Sequence, residues 1–157
     1  MSEICVYVEL EDYLAQWFVN EQGGSVPVHL SRNSIESKIL ELFLTRQPAG
    51  VPELGGPGKV AIAIPSFRVK PAITYNYLPK HAMQALVDCI RDRFDVALWT
   101  DLHRFGVIGR RQDELIYAWM EKHGIDIDER NWNSIAKRYQ RQRTVYLDRQ
   151  RKNSKKS

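Results

Sequence analysis

The 157 residues contain only two cysteines, Cys5 and Cys89, and their separation rules out a CxxC pair. A disulfide scaffold or a thiolate metal knuckle is therefore excluded. Both lie in apolar segments, which predicts buried thiols in a reducing compartment. Long apolar runs are missing too. Val60 to Pro65 is among the longest, far short of the roughly 20 residues that a spanning helix needs. No basic-then-apolar leader opens the chain. These absences predict a cytoplasmic protein with no membrane partner.

Motifs that carry chemistry are equally scarce. His29, His81, His103 and His123 include no HxxxH or HExxH pair, and no cysteine lies at ligand spacing from any of them. Gly55-Gly56-Pro57-Gly58-Lys59 lacks the GxxxxGK[ST] pattern, because Val60 follows the lysine and leads into a strand. There is no GxSxG elbow. Asp88, Asp92, Asp95 and Asp101 alternate with Arg91, Arg93 and Arg104, which reads as the charged face of an exposed helix rather than a catalytic carboxylate pair. The expectation is no enzyme and no cofactor.

What is present suffices for a core: 43% of residues are hydrophobic and 10% aromatic. Ile4 to Val8 reads as a buried strand. Leu10, Leu14, Trp17 and Phe18 form a helical face that Gly23-Gly24 stops, and Val26 to Leu30 is a short edge piece interrupted by Pro27. A second helix follows Asn33, with Glu36 in capping-box register and Ile35, Ile39, Leu40, Leu42 and Phe43 on one broad face. Pro48 to Gly58, with four glycines and three prolines, is a loop. Lys59 to Pro65 reads as a strand buried on both faces. Ile73 to Leu78 reads as its hairpin neighbour across the turn at Arg68 to Ala72.

Beyond Pro79 the pattern is helical. Met83, Leu86, Val87, Ile90, Phe94, Leu98, Leu102 and Phe105 mark one long helix, or two with a break near Asp95, ended by Gly106 and Gly109. A shorter helix from Arg111 to His123 points Leu115, Ile116, Trp119 and Met120 inward and is capped by Gly124. A last helix starts near Glu129. The aromatics Trp17, Phe18, Trp99, Trp119 and Trp132 are assigned to core packing. The fold class expected is α+β, with a small sheet and two helices in residues 1–79. A three-helix part spans 80–150 and ends in a basic helix, and a disordered basic tail covers 151–157.

Charge is unevenly placed. The net +4 conceals ten Lys or Arg against two acids from Glu129 to Ser157, and thirteen bases against seventeen acids before them. An acidic body with a basic end predicts a polyanionic partner, DNA or RNA, ahead of an anionic membrane surface. On the last helix Trp132, Ile135, Tyr139 and Tyr146 form an apolar seam among the bases. Two helices joined by a short turn, the second of them basic, resemble a helix-turn-helix. A second helix of that kind enters the major groove. Arg138, Arg141 and Arg143, with Arg130 and Arg149, are the expected phosphate contacts. Asn131, Asn133 and Lys137 would be nearer the bases, and the helix's first amides could hold a phosphate. The competing reading is a solvated helix, or a homo-oligomer formed through the seam.

The run Asn131-Trp132-Asn133-Ser134-Ile135-Ala136 also looks like the W-x-x-I-A pattern of Myb-type helical domains. Together with Tyr13-Leu14-Ala15-Gln16-Trp17, it resembles small proteins of bacterial prophages and conjugative elements. That resemblance implies a regulatory or accessory role near DNA.

Overall fold

A computed structural model describes residues 3–50, 59–107 and 112–155. The chain divides into two compact units, Met1–Asp92 and Arg93–Ser157. The boundary between them falls inside the third helix.

In the first unit, β1 (Cys5–Glu9) pairs antiparallel with β3 (Lys59–Ala63), with Val6 opposite Ile62 and Val8 opposite Val60. These three valines and one isoleucine are buried, whereas Tyr7 and Cys5 point to the other, more open face. Strand alternation explains this, since neighbours along a strand project to opposite sides. The sheet is thus buried mainly on one face, and β3 is not the doubly buried strand expected. For the same reason Cys5 is half-buried, as is Cys89, and both are free thiols. Burial pushes the Cys5 thiol up, with the Glu3 carboxylate adding to the shift.

Val28 bridges to β3 in parallel, its N–H donating to the Ala61 carbonyl at 2.8 Å and its carbonyl accepting from Ala63 at 2.9 Å. It takes the edge position that Pro27 implied. The hairpin expected between the strands of residues 59–65 and 73–78 does not form. β4 (Tyr75–Tyr77) pairs instead with β2 (Thr45–Arg46), a two-residue strand that no sequence pattern marked. Lys70, assigned to the hairpin turn, donates through Nζ to the Leu42 and Leu44 carbonyls, at 3.0 Å each. It thereby closes the end of the helix over Ile35–Phe43, where carbonyls lack helical partners.

Helix α1 (Asp12–Glu21) buries Tyr13, Leu14, Trp17 and Phe18 and stops at Gly23 and Gly24, both in the left-handed region at φ 110° and 85°. Helix α2 (Ile35–Phe43) starts one residue later than the capping box required. Its cap is Ser34, whose Oγ accepts from the Ser37 amide at 3.1 Å. Its buried face is also rotated. Glu36, Ser37 and Leu40 face inward, while Ile35 and Leu42 are more than 60% exposed. Apolar residues cover so wide an arc of α2 that periodicity could not orient it. Glu36 sits in the first turn, where a carboxylate meets the positive end of the dipole. Replacing the cap by Ser34→Ala is expected to cost about 1 kcal/mol in chemical denaturation, and Ser34→Gly only a few tenths.

Helix α3 (Lys80–Val107) runs unbroken past Asp95 and through Gly106, and so continues beyond the expected stop. Gly109 lies outside the described residues. In the first unit α3 buries Ala82, Leu86, Val87 and Ile90.

The second unit holds the rest of α3, with Phe94, Leu98 and Leu102 buried, then α4 (Gln112–Lys122) and α5 (Glu129–Lys155). Gly124 ends α4 at φ 71°, and the Ile125 amide reaches back to Met120 at 2.9 Å. That is the left-handed helix stop expected of a glycine here. Ile116, Trp119, Met120, Ile135 and Tyr139 complete the core, with Leu115 half-buried. The α+β class and the helical C-terminal half are as the sequence predicts. The expected frayed tail differs, because residues 151–155 continue α5. Arg, Lys and Gln are good helix formers, and cations suit a helix C-terminus.

Candidate nucleic-acid interface

Helix α5 presents two different faces. Ile135 and Tyr139 are buried, and the Tyr139 hydroxyl donates to the Leu102 carbonyl at 3.2 Å. Burial pushes that hydroxyl's pKa up, against a smaller lowering by Arg143, so it stays a neutral donor. Trp132 and Tyr146 are half-buried. Trp132 stacks on Tyr117 and donates to the Asp113 carbonyl at 3.3 Å, and Tyr146 meets the Trp99 and His103 rings. The apolar seam is thus taken up inside its own unit.

The opposite face follows steps of four and three: Arg130, Ser134, Lys137, Arg141, Thr144, Asp148, Arg151 and Lys155. Such steps keep side chains in one line along a helix. Arg130, Lys137, Arg141, Arg151 and Lys155 are all exposed, with Asp148 the one acid on the line. At 1.5 Å per residue the five cations span about 37 Å. Asn133 and Lys152 are exposed beside them.

Other expected contacts are committed elsewhere. Asn131 is 3% exposed. Its side-chain amide donates to the Asp126 carbonyl at 3.2 Å and toward Asp128 Oδ2 at 3.4 Å. Its backbone N–H donates to Asp128 Oδ1 at 2.7 Å. Asp128 therefore caps α5 with its own carboxylate and occupies an amide that a phosphate would need. With Asp126 and Glu129 alongside, the start of α5 is acidic. Of the base contacts expected near the helix start, Asn131 is thus taken up within the fold, while Asn133 and Lys137 are exposed.

Arg138 is the second reassignment. Its Nε and a terminal nitrogen each lie 2.8 Å from an Asp95 carboxylate oxygen, a two-point contact between α5 and α3. Gln142 adds a 2.7 Å bond to the Asp95 carbonyl. Arg143 is half-buried, off the exposed line, while Arg149 is exposed beside a groove. Arg138→Gln is expected to lower stability by about 1 kcal/mol, a charged pair discounted for partial exposure, and to leave nucleic-acid affinity unchanged. Thermal denaturation and a binding titration on one preparation separate the two effects.

Arg151, Lys152 and Lys155 fall in the stretch that the sequence assigns to a disordered tail. Their spacing from Lys137 and Arg141 in steps of four and three carries a signal only if the helix extends that far.

Elsewhere, His123 lies 3.6 Å from Asp101, and the Trp119 indole donates to that same carboxylate at 2.8 Å. Among the described residues no group of three His, Cys, Asp or Glu could hold a metal ion. No helix among them is long and apolar enough to cross a membrane. No family model matches the chain, and comparison with curated proteins and with solved structures finds no match.

Proposed function

We propose that this protein binds nucleic acid, with duplex DNA the leading ligand, through the exposed line of cations on α5. The supporting observation is five Lys or Arg on one helix face, while the aromatic residues of the opposite face pack inward. Regular cation spacing along a rod suits a phosphate backbone, whose charges are also regularly spaced. Contacts of this kind position a protein without reading sequence. Low sequence preference is therefore part of the proposal. The resemblance to prophage and conjugative-element proteins would make the role an accessory one in a mobile element, in the cytoplasm.

Fluorescence anisotropy with a labelled duplex of arbitrary sequence tests this at about 50 mM salt, where counterion release favours binding. Saturable binding that tolerates changes of sequence is expected. No binding to either duplex DNA or RNA would overturn it.

Self-association is the second reading. It would have to use Val145 and Leu147, both close to half exposed, since Ile135 and Tyr139 are buried. Light scattering on the full chain distinguishes the two readings.

A further inference from the structure

A groove of about 450 Å³ lies between the second-unit part of α3 and α5. Val96 and Trp99 line it from α3, and Val145 and Tyr146 from α5, so its walls are apolar. Val96 is 65% exposed and Val145 50%, an arrangement that leaves apolar surface in water unless something covers it. The volume falls in the range of about 300–1,000 Å³ typical of small-molecule sites.

The polar groups at the groove are unbalanced in sign. Arg141 and Arg149, both exposed, line it two helical turns apart. The carboxylate there, Asp95, is held by Arg138 at 2.8 Å through both oxygens. It is thereby turned to Arg138 and offset by it. Gln142 also lines the groove. Its Nε2 is spent on the Asp95 carbonyl, and its Oε1 is buried and accepts no hydrogen bond among the described residues.

We infer that this groove binds a small amphipathic carboxylate, with its apolar body against Val96, Trp99, Val145 and Tyr146 and its carboxylate on Arg141 or Arg149. Charge-assisted bonds from guanidinium to carboxylate supply orientation, and the apolar walls supply the area. The proposal does not rest on nucleic-acid binding. It does connect to it, because Arg141 also stands on the exposed line of cations.

Calorimetric titration of the full chain with decanoate and decanol, both below their aggregation limits, tests the assignment. Decanoate is expected to bind saturably at one site and decanol about tenfold or more weakly. Arg141→Gln with Arg149→Gln should weaken decanoate about tenfold or more and leave decanol unchanged. Both residues are exposed, so circular dichroism should be unaltered. Val145→Glu should abolish binding of both. Equal affinity for decanol and decanoate, or no saturable heat for either probe, would overturn the proposal. So would a dimer that Val145→Glu dissociates in a chain that binds neither of them, since a second copy would then fill the groove.

Discussion

Raising salt from 50 to 200 mM is expected to weaken binding to duplex DNA roughly 500-fold, a slope of about −4.5 if five cations each release a counterion. The five are Arg130, Lys137, Arg141, Arg151 and Lys155, which share the exposed line of α5. Lys137→Gln, Arg141→Gln and Arg151→Gln together should flatten the slope by roughly three. Their side chains are exposed and should cost little stability. Arg138→Gln is the internal control. A count of charges predicts that it flattens the slope as much as any other, whereas its pairing with Asp95 predicts no change. A triple variant that keeps the full slope would mean that phosphates are met elsewhere.

The largest stability effect is expected at Phe94. Its ring is fully buried and meets Trp119 edge-on, with centroids 5.4 Å apart at 85°. Phe94→Ala removes that contact and leaves a cavity in a unit where Leu98, Ile116 and Met120 are also fully buried. The loss should be about 3–5 kcal/mol, enough to unfold a marginal unit. Val96→Ala, two residues away but 65% exposed, should change stability by less than about 0.5 kcal/mol. Urea titration followed by tryptophan fluorescence reads both. Similar midpoints for the two variants would contradict the packing described.

Helices proved legible in the sequence where their apolar stripe was narrow. Phe94, Leu98 and Leu102 on α3, and Ile116, Trp119 and Met120 on α4, are buried as their spacing implied. On helix α2 the apolar residues form so broad an arc that period alone does not place its buried centre. Trp99 and Trp132 are half-buried rather than core, since each lies at a helix margin where period alone cannot separate wall from lip. Strand partnership was the harder problem. The tie between β1 and β3 crosses more than fifty residues, and β2 is too short to show an alternation. On α5, composition gave the sign of the charge but not its direction. Sequence alone marks Asp126 and Asp128 as a turn and does not show that they accept hydrogen bonds from Asn131.

From Leu147 to Lys155 every residue of α5 is exposed. Those turns have no core to hold them and stand on intrinsic propensity, which in water is marginal over so short a length. Arg151 and Lys155, four apart, repel each other, as do Arg149 and Lys152, three apart. Backbone amides there should exchange with deuterium far faster than those around Ile135 and Tyr139, whose side chains are buried. A polyanion laid along the line would screen that repulsion and slow the exchange selectively at the distal end. Part of the attraction would then go into ordering the helix rather than into measured affinity, so the far end of α5 would gain protection on binding while its first half stayed the same.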